Sequence, residues 1–136
     1  MISLDTNILL RIIISDPDAP EQNAKARNYV QGLWDKQISV LVTSVVIVEC
    51  CWVIRRRYKL PKEAVIEFVE YLLALEMTEL EHRSEVSLAL LDYRQGKGDF
   101  SDYIIGRISE SLGCNTTWTF DKALSEKGLF EIKQSA

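Results

Sequence analysis

The sequence predicts an α/β sandwich with a mostly parallel sheet of about five strands. Short segments rich in β-branched and aromatic residues alternate with longer segments whose apolar residues recur at helical spacing. Strands that alternate with helices in this way favour a parallel sheet covered by helices. The 136 residues fit one domain with a substantial core, so we expect a single domain over residues 1–136.

The chain begins with a short segment, residues 2–4, that predicts a buried strand. Residues 5–7 then supply side chains that cap a helix over residues 8–14. Residues 26–34 carry apolar side chains at i, i+3, i+4, i+7 and i+8, which predicts an amphipathic helix. Residues 38–42 are rich in β-branched residues and predict a second strand.

Thr43 or Ser44 is expected to cap a third helix, which carries Glu49. Pro61 suits the first turn of a fourth helix, and the apolar face of that helix lies within residues 65–73. The remaining predicted strands lie at residues 77–80, 116–119 and 130–133.

A fifth helix is predicted around residues 86–93 and a sixth around residues 104–112. The glycines at positions 96 and 98 close the fifth helix. Ser101 is expected to cap the sixth helix, and Gly113 is expected to end it.

The composition predicts a soluble globular protein of the cytoplasm. Hydrophobic residues make up 47% of the chain and charged residues 26%. No apolar run has the length of about 20 residues that a membrane helix needs, and no basic segment followed by an apolar stretch begins the chain. The net charge of −4 argues against a protein that holds nucleic acid over its whole surface.

The cysteines and the single histidine narrow the possible chemistry. Three cysteines without Cys-x-x-Cys spacing are expected to be small buried hydrophobic residues in a reducing compartment. His82 alone excludes zinc catalysis through two or more histidine ligands. A Ser-His-Asp relay would need His82 as its base, and that residue lies in a polar stretch expected to be a solvated turn.

Four acidic residues, with a fifth close by, lie where predicted strands end or helices begin. They are Asp5, Glu49, Asp102 and Asp121, with Asp99 as the additional acid. Carboxylates in apolar surroundings are usually paired or bound to a cation, and Mg²⁺ and Mn²⁺ prefer oxygen ligands. Each of the four aspartates also has a simpler interpretation as a helix cap or a turn residue. For Glu49 the simpler interpretation is an ion pair with Arg11 or with one of the arginines that follow.

A cluster of cationic residues follows the Glu49 segment. Its members are Arg55, Arg56, Arg57 and Lys59. The cluster fits a solvated helix C-terminus, which the helix dipole favours, and it also fits a patch that contacts nucleic acid.

Four sequence motifs, taken in order, resemble those of the PIN domain, and the likeness is greatest to the VapC-type toxins of prokaryotic toxin–antitoxin systems. The motifs are Leu4-Asp5-Thr6-Asn7, Glu49 on a helix in mid-chain, Asp99-Phe100-Ser101-Asp102-Tyr103-Ile104-Ile105, and Thr119-Phe120-Asp121. The resemblance covers nearly the whole chain. It implies a three-layer α/β/α fold and an endoribonuclease that depends on Mg²⁺ or Mn²⁺.

The resemblance also implies roles for individual residues. The catalytic and metal-ligating acids would be Asp5, Glu49, Asp102 and Asp121. Asp99 is an additional acid outside that set, and we expect it to support a second metal ion or to orient Asp102. Thr6 and Asn7 match the polar pair after the first acid, and Thr119 matches the hydroxyl residue that supports the last acid. Arg11 and the cationic cluster are expected to contact RNA phosphates or a partner. Residues 106–109 depart from the small residues that relatives often carry.

The same resemblance implies a homodimer whose activity is blocked by an antitoxin protein that fills the acidic site. The helices around residues 24–34 and 61–75 are candidate partner surfaces or, alternatively, parts of the core. Three other interpretations remain: an inactive PIN-like binding module, an RNA-processing or DNA-directed nuclease without an antitoxin, and a haloacid-dehalogenase-like phosphatase. The last requires an Asp two residues after Asp5, where this chain has Asn7.

Overall fold

The computed structural model describes residues 1–134, which form two compact units. The first unit comprises residues 1–81, and the second begins at His82. The part of the chain that the structure describes contains no helix long and apolar enough to cross a membrane.

The first unit consists of three strands and four helices. In chain order they are β1 (Ile2–Ser3), α1 (Thr6–Ile13), α2 (Pro20–Asp35), β2 (Val40–Val42), α3 (Ser44–Arg56), α4 (Lys62–Ala74) and β3 (Thr78–Leu80). The strands form one parallel sheet in the order β1-β2-β3. The central strand β2 pairs with both neighbours, and its Val40 and Val42 are completely buried.

The first strand differs from the prediction of a buried strand. Ile2 remains 47% exposed and Ser3 is also exposed, whereas Leu4, just beyond the strand, is buried. The sheet order explains this, because β1 pairs on one side only and is therefore an edge strand of its sheet.

The helices of the first unit bury the apolar faces that their periodicity predicts. In α4, Val65, Phe68, Val69 and Leu72 are buried, so this face belongs to the core. In α2 the buried apolar residues are Ala26 and Val30. Thr43 caps α3 by accepting a hydrogen bond from the backbone N–H of Val46, at an Oγ1–N distance of 3.3 Å.

Within residues 82–134, the second unit consists of two long helices, two strands and a 3₁₀ helix. They are α5 (Arg83–Gln95), α6 (Phe100–Ser111), β4 (Thr117–Thr119), the 3₁₀ helix Lys122–Lys127 and β5 (Phe130–Ile132). The strands β4 and β5 pair in parallel, with Thr117 opposite Phe130 and Thr119 opposite Ile132.

A buried ion pair joins α5 to α6. Asp92 is 4% exposed, and the Arg107 guanidinium donates to both of its carboxylate oxygens, from Nε at 2.7 Å and from Nη2 at 2.8 Å. The same two helices are joined by the rings of Tyr93 and Phe100, which pack edge to face with their centroids 5.8 Å apart. Arg107 is part of the departure from relatives at residues 106–109, and its partner shows that it ties two helices together.

Gly106 provides the room for β5 to approach α6. A Cβ atom at this position would lie 3.0 Å from the Phe130 ring, which is tighter than ordinary packing. The absence of a side chain therefore lets Phe130 pack against the helix.

The structure confirms the α/β class, the parallel strand pairing and the number of strands. In residues 1–134 the five strands form two hydrogen-bonded sheets, of three and two strands, instead of one continuous ladder. The sixth helix was expected to have Ser101 as its cap, but it begins at Phe100 with Asp99 as its N-cap, because Asp99 has the extended backbone of a cap residue.

The cysteine prediction is correct for two of three residues. Cys50 and Cys51 are buried in α3, whereas Cys114 is exposed in the connection between α6 and β4. Cys114 follows Gly113, whose positive φ of 98° turns the chain after the helix, so its side chain has no core to enter.

Candidate catalytic site

Asp5 is held at the start of α1. It is the N-cap residue of that helix, and its Oδ1 accepts a hydrogen bond from the backbone N–H of Thr6 at 2.8 Å. The residue follows β1 directly, so its carboxylate lies at the carboxyl end of an edge strand. Ligands bind at this end of the strands in open parallel sheets.

Glu49 reaches the same turn from α3. The hydroxyl of Thr6 donates a hydrogen bond to Glu49 Oε1, which orients the carboxylate. The next residue, Cys50, is buried beside the Thr6 carbonyl. Burial, together with the negative charges of Glu49 and Asp5, raises the pKa of the Cys50 thiol to about 12. The first unit therefore brings Asp5, Thr6 and Glu49 together.

The carboxylate of Glu49 is exposed, although most of its sequence neighbours are apolar. The expectation of an acid in apolar surroundings is wrong here because Glu49 lies on the outward face of an amphipathic helix. The sequence also suggests an ion pair between Glu49 and Arg11, but Arg11 has a different acidic partner. Arg11 binds Asp16 Oδ2 at 2.9 Å and also donates to Tyr58 and Gln22.

In the second unit, Asp99 and Asp102 share the N-terminus of α6. The backbone N–H of Asp99 donates to Asp102 Oδ2 at 2.8 Å, and the N–H of Asp102 donates to the Asp99 carbonyl at 3.0 Å. Asp99 is exposed and Asp102 is half-buried. The structure therefore makes Asp99 the helix cap and directs Asp102 back toward it.

Asp102 has a raised pKa. Burial is the main cause, and the charges of Asp99 and Asp121 raise it further, while the hydrogen bond from the Asp99 N–H lowers it. From the sequence, the dipole of α6 was expected to favour the ionised form of Asp102. Burial and two neighbouring carboxylates outweigh that preference.

Asp121 follows β4 and is held by hydrogen bonds to residues close to it in sequence. Its N–H donates to the Thr119 hydroxyl at 3.1 Å, and its Oδ1 accepts from the N–H of Ala123 at 2.9 Å. Thr119 thus shapes the turn that carries the acid. Because the charge of Asp121 acts on Asp102, the second unit brings Asp99, Asp102 and Asp121 into one neighbourhood.

The sequence analysis did not assign Gly98, which lies against Asp102, or Glu81, which lies at the same end of the parallel strands as Asp5. A Cβ atom on Gly98 would overlap the end of the Leu124 side chain and lie 3.1 Å from Asp102 Oδ2, so a side chain there would press on this carboxylate. Glu81 follows β3 and accepts hydrogen bonds at Oε1 from the N–H and hydroxyl of Ser44, at 3.0 and 2.8 Å. Glu81 comes just after a predicted strand, as Asp5 does, and this position in the sequence could have marked it as a candidate site residue.

The cationic cluster lies at the exposed end of α3. Its four side chains are exposed, and Arg55 donates to the carbonyl of Leu60 at 2.9 Å. Arg11, grouped with them from the sequence, is only 21% exposed in its side chain and is held by Asp16. The structure therefore gives Arg11 a role within the first unit.

The chemistry of the donor set fits a hard divalent cation, because every predicted ligand offers carboxylate oxygen. Among residues 1–134, no three or more His, Cys, Asp or Glu side chains are grouped in the arrangement of a metal site. Asn7, predicted to support the first acid, is exposed on the first turn of α1.

The model of the PIN domain family matches residues 2–128. No curated protein and no solved structure matches the chain.

The α/β fold and the match to this family model define the class of protein as a nuclease, a hydrolase that acts on nucleic acid. The chain belongs to the PIN domain family. Members of this family generally use divalent metal ions and act on RNA.

Proposed function

We propose that this protein is a metal-dependent endoribonuclease, and that it is the toxin of a VapBC-type toxin–antitoxin pair acting in the cytoplasm. The whole chain acts as one PIN domain in this proposal. Its catalytic acids are Asp5, Glu49, Asp102 and Asp121, and Asp99 assists Asp102. The observation that carries the proposal is that a PIN-family chain retains all four acids and exposes or half-exposes each of them.

The residues of each unit support this assignment through the way they hold the acids. Thr6 fixes Glu49, and the Thr119 hydroxyl together with the N–H of Ala123 fixes Asp121. These acids would hold Mg²⁺ or Mn²⁺. The chemistry that such an ion supplies is activation of water and neutralisation of charge on the scissile phosphate.

Asp102 has a second part in the proposed mechanism. Its raised pKa lets it take up a proton more readily than an ordinary aspartate does when no cation balances the neighbouring charges. Its half-buried position also keeps the carboxylate in one orientation, with the Asp99 N–H as a fixed donor. A positioned carboxylate loses less entropy when it binds a ligand.

The test is cleavage of a mixed tRNA and ribosomal RNA pool by the purified protein with Mg²⁺, with Mn²⁺ or with EDTA. We expect cleavage only with metal, and we expect Asp5→Asn and Asp121→Asn each to lower its rate by at least about a hundredfold. The matched control is Asp18→Asn, since Asp18 is an exposed acid outside the proposed site.

Intact RNA under all conditions, from protein freed of any co-purified inhibitor by unfolding and refolding, would contradict the nuclease and favour the inactive binding module. Cleavage that Asp5→Asn and Asp121→Asn retain would contradict the assignment of the acids. The toxin assignment predicts that a small protein encoded beside this chain binds it and stops cleavage. An active enzyme without such a partner would instead be an RNA-processing nuclease.

A further inference from the structure

The outward face of β4 in the second unit carries a large aromatic residue, and a second exposed aromatic residue follows directly after the strand, whereas Phe130 of β5 is buried. In a strand with one buried face, apolar side chains normally point inward and polar ones outward. In β4 the order is reversed, because Thr117 and Thr119 are partly buried whereas Trp118 is 70% exposed. Phe120, two residues after Trp118, is 67% exposed.

A lysine lies over this aromatic face. Lys133 Nζ is 4.3 Å from the centroid of the Trp118 ring. A cleft of about 340 Å³ is lined by Trp118, Thr119, Phe120 and Lys133. The same ammonium group pairs with Glu131 Oε1 at 2.9 Å, so an incoming anion would have to replace that carboxylate.

The aromatic face is directly connected to a predicted catalytic acid. Phe120 precedes Asp121 in the chain, and Thr119, between the two aromatic residues, accepts the hydrogen bond from the Asp121 N–H. Strand pairing of Thr119 with Ile132 fixes the turn from the other side. A molecule bound on this face therefore has a defined position relative to the Asp121 carboxylate.

We propose that Trp118 and Phe120 form a stacking platform for the bases of single-stranded RNA, and that Lys133 contacts a phosphate of the same strand. The inference rests on the proposed function, since it names how the nuclease holds its substrate beside Asp121. Aromatic side chains stack on bases of any sequence, and unpaired RNA offers bases that are free to stack.

The size of the face favours a nucleic-acid strand over a second copy of the chain. A large aromatic side chain offers about 150–250 Å² in total, so two partly exposed ones contribute roughly 300 Å². A stable protein interface buries about 800 Å² on each partner. One or two stacked bases match the smaller area, and the ammonium group adds attraction for phosphate.

The experiment measures RNA binding separately from cleavage. The full-length Asp5→Asn protein, with Mg²⁺ present, is titrated into a fluorescently labelled single-stranded RNA, and anisotropy gives the Kd. We expect Trp118→Ala and Phe120→Ala each to weaken binding about tenfold. We expect Trp118→Phe to retain most of the affinity because it retains a ring. Tyr29→Ala, which removes an aromatic residue 66% exposed on α2, is the matched control and is expected to change nothing.

Two further comparisons separate stacking from other contacts. With an RNA whose bases are replaced by abasic sites, the alanine variants should bind as the parent does. Lys133→Gln should reduce the dependence of log Kd on log salt by about one phosphate contact, and Glu131→Gln should tighten binding by freeing the ammonium group.

Unchanged affinity in both alanine variants, or an equal loss on abasic RNA, would overturn the proposal. So would a loss of self-association in these variants without an effect on RNA binding. Failure of the inference is distinguishable from failure of the proposed function. RNA cleavage with normal binding by Trp118→Ala and Phe120→Ala would contradict the platform alone, whereas base-dependent binding by a protein that never cleaves would contradict the nuclease alone.

Discussion

At the scale of single residues, the position of Asp102 depends on the absence of a side chain at Gly98. Alanine there would place its Cβ against Leu124 and 3.1 Å from Asp102 Oδ2. We expect Gly98→Ala to lower the RNA cleavage rate about ten- to a hundredfold, because a displaced catalytic carboxylate loses its alignment. Rates are to be compared with those of Gly32→Ala, which meets open space within α2 and should stabilise the fold by about 0.5–1 kcal/mol.

A full cleavage rate in Gly98→Ala would show that Asp102 tolerates the displacement. Thermal unfolding of the same protein provides the check on folding, because a rate loss that only follows a loss of folded protein would not concern the acid.

The raised pKa of Asp102 makes stability depend on pH in a defined direction. The folded protein binds a proton at this carboxyl more tightly than the unfolded chain does, whose ordinary value is 3.8. The stabilisation that follows is fully present below that ordinary pKa and is lost as the pH rises through the higher pKa of the folded state. We therefore expect Asp102→Asn, which has no charge to bury, to have a higher Tm than the parent at neutral pH.

This difference in Tm should shrink toward zero as the pH falls to about 3. The measurement is thermal unfolding in EDTA across the range from about pH 3 to pH 8, with Asp18→Asn as the control. A lower Tm for Asp102→Asn at neutral pH would mean that the charged carboxylate stabilises the fold.

At the scale of elements, Arg107 links α6 to α5 through its ion pair with Asp92. Replacing Arg107 by Met would leave Asp92 buried with its two hydrogen bonds lost. We expect the free energy of unfolding to fall by about 3 kcal/mol, as for other broken buried ion pairs. Chemical denaturation measures this change.

The matched control for Arg107→Met is Glu110→Gln. Glu110 is the exposed partner of Arg107 at 3.0 Å, and exposed pairs contribute little. If Arg107→Met lost no more unfolding free energy than Glu110→Gln does, another group would have to compensate the buried charge of Asp92.

Helix positions were predictable because their signals are local. Thr43 caps α3 as expected, and the periodic apolar residues of α4 are the ones that the structure buries. The start of α6 was predicted two residues late because Ser101 and Asp99 are both good caps, and only backbone geometry chooses between them. A cap and the helix N–H that it binds, or two neighbouring apolar residues of one helix face, are at most about four residues apart in sequence.

Features that depend on pairing distant segments were not predictable. The division of the strands into sheets of three and two is set by hydrogen bonding between strands far apart in sequence. The direction in which a strand faces is equally non-local. The alternation of Thr117, Trp118, Thr119 and Phe120 indicates a strand but does not say that the aromatic side chains face outward.

At the scale of the whole molecule, a net charge of −4 requires that any RNA contact be local. Besides Lys133, the exposed cationic cluster on and after α3 is a candidate region for such a contact. We expect Arg56→Gln combined with Arg57→Gln to reduce the slope of log Kd against log salt by about two contacts. Binding of single-stranded RNA at several salt concentrations gives the slope.

Lys36→Gln, an exposed cation after α2, should leave the slope unchanged. If the double arginine variant keeps the parent slope as well, the cluster serves a protein partner or only the end of its helix.

Three of the acids also serve as N-caps: Asp5 on α1, Asp99 on α6 and Asp121 on the 3₁₀ helix. Replacing such an acid by alanine would remove a cap worth about 1 kcal/mol together with the charge, whereas asparagine caps as well as aspartate does. Natural selection on helix stability therefore protects these positions even in a descendant that has lost catalysis. An inactive homologue is expected to change first at Glu49, which caps no helix, and to keep the other acids longer, since Asp102 also accepts the Asp99 N–H in the capping box of α6.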